Sequence, residues 1–205
     1  MANLYLRNIF FFLPLFISVD CFSQDPGKTQ VTDVTKATFF NPGISYEKKI
    51  GKSQTLYGQA FMSTSIGIGY SSTFGNTSYI YFDPALTIQY RYYYNFANRE
   101  AKGKRTAMNS LNYVCAIGQT IFSKAAIFSY YYAETNRRAI NTLGLAWGLQ
   151  RNFPGRFSID FNVGGGYLFA KVTAIDNAGQ FLSKNDGKLT TVGQLNLGFW
   201  LNKRN

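Results

Sequence analysis

The sequence predicts an all-β fold, a closed antiparallel transmembrane β-barrel of eight strands. Three observations predict it. Apolar and polar residues alternate with a period of two along most of the chain. The polar face of each alternating stretch holds Gly, Ser, Thr, Asn and Gln with isolated charges, whereas a face washed by water normally carries Lys and Glu. Tight turns alternate with longer connections, the habit of barrels that span an outer membrane.

The first 23 residues stand apart. "MANLYLRNIFFFLPLFISVDCFSQ" has Arg7 in a short leading region, an apolar run from Ile9 to Ile17 and small residues around the sequence "CFS". That is the form of a secretory signal, too short to span a membrane as a helix. Cleavage after Ser23 leaves a mature barrel domain of residues 24–205. Lipoprotein processing at Cys21 fits less well, because Ser18, Val19 and Asp20 precede it. No later stretch reaches the roughly 18 consecutive apolar residues of a membrane helix. Cys115 is then the only cysteine of the mature chain and reads as a small apolar strand residue.

The strands follow in order. "TQVTDVTKATFF" (29–40) has the β-branched residues of a strand but poor alternation; it is needed because single-chain barrels use even strand numbers. "NPG" (41–43) makes a tight turn into "GISYEKKI" (43–50). In 55–70, Leu56, Ala60, Met62, Ile66, Ile68 and Tyr70 face one way and Gln59, Ser63 and Ser65 the other. In 79–96, Phe82, Leu86, Ile88, Tyr90, Tyr92 and Tyr94 oppose Asp83, Thr87, Gln89, Arg91 and Asn95. The next strand, 110–122, sets Tyr113, Cys115, Ile117 and Ile121 as its apolar, outward face against Asn112 and Thr120. Leu143, Leu145, Trp147 and Leu149 share a face in 142–150. Phe157, Ile159, Phe161, Val163, Tyr167 and Phe169 oppose Ser158, Asp160, Asn162, Gly164 and Gly166. The last strand puts Leu189, Leu195, Leu197, Phe199 and Leu201 opposite Thr190, Gln194 and Asn196.

An apolar band facing outward and small polar residues facing inward describe a barrel whose apolar phase is lipid. Aromatics near the strand ends, Tyr90, Tyr92, Tyr94, Tyr113, Phe157 and Phe199, suit interfacial girdles. Tight turns are expected at 51–54 and 152–155, and long loops at 71–78, 123–138 and 171–187. Pro84 predicts a bulge or frayed end, since a closed barrel has no free edge. The basic connection 95–109 reads as a solvated turn touching anionic lipid headgroups.

Charge and chemistry narrow the function. Lys and Arg number 21 against 10 Asp and Glu, and the export signal directs this excess toward anionic lipid and envelope polymers, lipopolysaccharide included, rather than nucleic acid. Histidine is absent, which removes Ser-His and Cys-His catalysis and His-based metal sites. "GGGY" lies inside a strand pattern without a following helix, so it is not a phosphate loop. No catalytic residue, cofactor or metal is expected. The best-defined constellation is inward and charged: Glu47, Arg91 and Asp160 each lie about four residues from a tight-turn end, hence at similar depth. In a barrel just wide enough for side chains to fill, they are expected to pair as a plug. At the opposite end, Tyr130, Tyr131, Tyr132, Arg137 and Arg138 form a candidate surface for an unknown surface partner. Two non-enzymatic roles result, a plugged surface-interaction barrel or a conduit for small solutes or lipophiles; a histidine-free enzyme acting on lipid is a third.

The signal ending "FSQ", "PGISYEKKIGK", "FDPALTIQYRYYYN" before "KGKR", "NSLNY" and the closing "GQLNLGFWLNKR" resemble the small outer-membrane β-barrel proteins of Bacteroidota. The resemblance covers nearly all the mature chain. It implies an eight-stranded barrel in the outer membrane of a Gram-negative bacterium, inserted by the barrel assembly machinery, and no substrate or cofactor. The chain departs from many such barrels by following Phe199 and Trp200 with "LNKRN" instead of ending on an aromatic residue.

Overall fold

The computed structural model describes residues 30–71, 75–124, 136–175 and 180–203; the signal segment 1–23 and Tyr130, Tyr131 and Tyr132 lie outside them. Among the described residues, eight antiparallel strands pair in sequence order and close into a ring: β1 (Val34–Phe40), β2 (Gly43–Lys49), β3 (Gln54–Ser71), β4 (Gly75–Tyr93), β5 (Asn112–Ser123), β6 (Arg138–Asn152), β7 (Phe157–Ile175) and β8 (Phe181–Trp200). The expected strand in 29–40 is present as its second half, and it closes the barrel by pairing with β8. A short helix, α1 (Phe96–Ala101), and a 3₁₀ turn at Ala107–Asn109 occupy the basic link between β4 and β5.

The start of β1, the end of β8, the 50–53 and 153–156 turns and the β4–β5 link lie at one end of the barrel, here the turn end. Two expected long loops are shorter than the sequence predicts. Paired strands run on through Ser71 and from Gly75, and through Ile175 and from Phe181, so only 72–74 and 176–180 connect them.

Toward the turn end, period-two alternation puts one set of side chains inside and leaves the other exposed. The exposed set includes Ile44, Leu56, Leu86, Val114, Leu145, Val163 and Leu189, with Phe39 and Phe40 on β1; Leu145 is 71% and Leu189 85% exposed. One strand reverses its expectation. In β5, Tyr113, Cys115 and Ile117 are buried inside the barrel, and Val114 and Phe122 face outward. The reason lies at the turn end, where the interior is itself apolar: Val31, Tyr93, Leu111, Tyr113, Cys115 and Ala146 pack into one cluster. Val31 reaches it because the chain before β1 folds across the barrel mouth. Thr32 is fastened there by paired hydrogen bonds with the Asn109 side chain, both 2.8 Å.

Pro84 also departs from expectation. The β3–β4 register runs unbroken through Met62↔Pro84. The Met62 N–H donates to the Pro42 carbonyl, away from β4, so the facing Pro84 directs its nitrogen toward β5. The β4–β5 ladder begins only at Ala85↔Ile121. Strands of unequal length thus supply the free edge that proline requires. The irregularity of the barrel lies instead in the β1–β8 seam, between Thr38 and Phe40.

Candidate functional site

The interior site is built from seven strands, with Thr55 and Tyr57 of β3 joining the side chains of six others. β2 supplies Glu47, β4 Arg91, Gln89 and Tyr93, β5 Tyr113, β6 Gln150, β7 Asp160, and β1 adds Lys36. Each occupies an inward parity position, and each is almost wholly buried. The structure brings Glu47, Arg91 and Asp160 together. Arg91 Nη1 lies 2.9 Å from Asp160 Oδ2 and 4.0 Å from Glu47 Oε2. Lys36 Nζ lies 3.1 Å from the same Asp160 oxygen. Two cations therefore face two carboxylates, and the set is neutral as a whole.

A buried charge is tolerated only when its remaining valences are met. Asp160 Oδ1 accepts from the Tyr113 hydroxyl at 2.7 Å. Glu47 Oε1 accepts from the Tyr93 and Thr55 hydroxyls at 2.5 and 2.7 Å. Gln150 joins the two halves, its Oε1 accepting from Arg91 and Lys36 at 2.8 and 2.7 Å and its Nε2 donating to Glu47 at 3.2 Å. Arg91 Nε donates to Gln89 at 2.8 Å.

Aromatic faces complete the site. The Arg91 guanidinium carbon lies 3.7 Å from the Tyr57 ring centre and 4.3 Å from that of Tyr113. A weakly hydrated planar cation between two rings gains cation–π attraction where no water competes, and lysine would not fill that slot as well. Gly148 makes the arrangement possible, because a Cβ there would lie 2.3 Å from the Tyr113 ring. Farther from the turn end, Gln59, Gln89, Gln194 and Asn196 join in a carboxamide layer, with Gln194 donating to Gln59 at 2.7 Å. At the long-loop end the half-exposed Arg137 lies 3.6 Å from Asp83 and donates to the Phe82 carbonyl at 3.2 Å. Arg138 opens β6, one residue further along.

Sequence reasoning missed Lys36, Tyr57, Tyr93, Tyr113 and Gln150. Gln150, Tyr57 and Tyr93 carried a usable signal, their inward parity. Among the described residues no group of three His, Cys, Asp or Glu side chains has the arrangement to hold a metal ion. No protein family, curated protein or solved structure matches the chain.

Proposed function

We propose that this chain is an integral barrel of a Gram-negative outer membrane, related to the small Bacteroidota barrels it resembles, with a sealed interior and a non-enzymatic, surface-interaction role. One observation carries the reading: charge and hydrogen bonding lie inside the ring, and large apolar side chains stand exposed around its outside on all eight strands. Soluble proteins seldom expose contiguous apolar area beyond a few hundred Å². Lipid removes that cost, and ring closure satisfies every backbone ladder without helices.

Support for the sealed interior comes from two layers stacked along the axis. The apolar floor of Val31, Leu111 and Tyr113 closes the turn end, and the Lys36–Asp160–Arg91–Glu47 set fills the section above it. Activity at the long-loop end is left to side chains such as Arg137, anchored on a buried Asp83.

Two measurements test this. Fractionated cells should hold the protein in the outer membrane, and the folded chain should migrate differently boiled and unboiled; a soluble periplasmic protein with identical migration overturns the membrane reading. In planar bilayers the purified protein should pass no steady current. Long-lived openings of nanosiemens scale would instead establish the conduit and overturn the seal.

A further inference from the structure

We infer that the outer face of β5 and the basic link at its turn end bind one anionic phospholipid, the acyl chain lying along the barrel wall and the phosphate meeting a cluster of guanidinium groups. The site presupposes the membrane reading above. It begins with a step in side-chain size. Between Asn112 and Phe122 the outward residues of β5 are Val114, Ala116, Gly118 and Thr120, whereas β4 presents Tyr90 and Tyr92 on one side and β6 presents Leu145 and Trp147 on the other. Around Val114 and Ala116, with Tyr90, Tyr92, Leu145 and Trp147 standing on either side, this step leaves a trough of about 650 Å³. Rigid neighbours cannot fill such a trough, but a flexible acyl chain can. At the turn end the Trp147 indole reaches over β5 and donates to the Tyr94 hydroxyl at 2.7 Å.

Positive charge gathers at the mouth just beyond. Asn112 is the next outward position after Val114, about 7 Å along the strand. Arg151 donates to its Oδ1 at 2.6 Å and to the Leu111 and Gln150 carbonyls at 2.9 and 2.7 Å, which holds the guanidinium at the end of the trough. Arg105 donates to the Asn152 carbonyl at 2.8 Å, one residue further on, and Arg99 donates to the Arg105 carbonyl at 3.0 and 3.3 Å. Each of the three guanidiniums is thus held by neutral oxygens at this end of the barrel. Lys102 and Lys104 are exposed in the same link, whose one acid is Glu100.

The cations of the link outnumber its one acid, Glu100, and that excess attracts an anion; a phosphate oxygen set matches the guanidinium fork. Free phosphate would leave the trough bare, and a lipid of no net charge would leave the cluster uncompensated. An anionic phospholipid answers both halves.

Trp147 and Trp200 are the two tryptophans, so Trp200→Phe leaves a reporter beside the trough. This variant is placed in phosphatidylcholine vesicles containing increasing fractions of phosphatidylglycerol or phosphatidylcholine brominated on the acyl chains, which quenches indole fluorescence on contact. The phosphatidylglycerol should quench at a fraction about fivefold lower for each guanidinium that meets the phosphate, equivalent to ~1 kcal/mol per basic group at an anionic surface. Arg99→Gln, Arg105→Gln and Arg151→Gln together should abolish that preference. So should 1 M salt on the unsubstituted cluster, where the screening length is about 3 Å, a readout independent of whether the triple variant folds. Ala116→Leu, which fills the trough and keeps every charge, should also reduce it. Equal quenching by the two lipids, a preference that survives substitution and salt, or one untouched by Ala116→Leu each overturns the site while leaving the barrel in the membrane. Absence of quenching by either lipid removes Trp147 from hydrocarbon, and the membrane reading fails with the site.

Discussion

Arg91 pairs with Glu47 and Asp160 and lies between two tyrosine rings, so its removal uncovers charge instead of merely losing contact. Arg91→Ala should cost about 3–5 kcal/mol, read as a lower urea midpoint of the refolded barrel in detergent. The second-site changes that repair it follow from Lys36. With Arg91 gone, Lys36 still compensates Asp160, and Glu47 is the carboxylate left over. Arg91→Met combined with Glu47→Gln should therefore recover more stability than Arg91→Met combined with Asp160→Asn, which strands Lys36 and Glu47 apart. Equal recovery by the two pairs would show that Lys36 is not part of the network. Arg91, Glu47 and Asp160 were legible in the sequence because each falls on the polar side of an alternating stretch, near its turn end. Lys36 was not: "VTKATFF" has threonines and aromatics on both parities, and only its pairing with β8 decides which way the lysine points.

At the scale of elements, period two locates seven strands well and assigns the faces of β5 wrongly. Hydrophobicity separates inside from outside only where the two environments differ, and beside the apolar floor they do not. Tyr113 and Cys115 are inward apolar residues next to outward Val114 and Ala116, and no sequence weight distinguishes them. The chain before β1 is a second element whose role only the structure reveals. Asp33 accepts from the Lys49 N–H at 2.8 Å and from the Tyr46 hydroxyl at 2.9 Å, tying that chain to β2. These two bonds, in that order, with the charges of Lys48 and Lys49 behind them, hold its carboxyl below the ordinary carboxylate range. A depressed folded-state pKa contributes stability above the unfolded value of about 3.9 and loses it as pH falls through the folded one. Asp33→Asn should accordingly lower the urea midpoint at pH 6 by less than about 1 kcal/mol, the site being open to water. The difference from wild type should shrink as pH falls below about 4. A difference that stays constant down to pH 2 would assign the effect to shape and not to charge.

Taken whole, the molecule depends on one short seam. β3 and β4 pair along their full length, as do β7 and β8, whereas β1 meets β8 only over Lys36↔Trp200, Ala37↔Phe199, Thr38↔Gly198 and, past the bulge, Phe40↔Leu197. The approach is close enough that a Cβ on Gly198 would lie 2.1 Å from the Ala37 carbonyl oxygen. Bonds from outside the ladder reinforce it: Leu201 N–H to the Thr35 carbonyl at 2.8 Å, the Asn202 side chain accepting from Thr35 N–H at 2.9 Å, and Trp200 Nε1 to the Phe153 carbonyl at 2.9 Å. Closure joins the two ends of the described chain, so its register depends on every register before it. Directly paired residues on adjacent antiparallel strands lie about 4.5–5.5 Å apart at Cα, within disulfide range. Ala37→Cys with Phe199→Cys, in a chain carrying Cys115→Ser, should cross-link on mild oxidation of the folded barrel. The linkage closes most of the chain into a loop and should raise stability by up to about 5 kcal/mol. Boiled without reductant, the linked chain should run ahead of its reduced form, because a covalent ring cannot extend fully. Shifting one partner by a residue, with Thr38→Cys in place of Ala37→Cys, turns the first thiol to the opposite face at a position that already carries a Cβ and should prevent the cross-link. If both pairs link equally well, the seam slides, and the barrel is not closed in a single register.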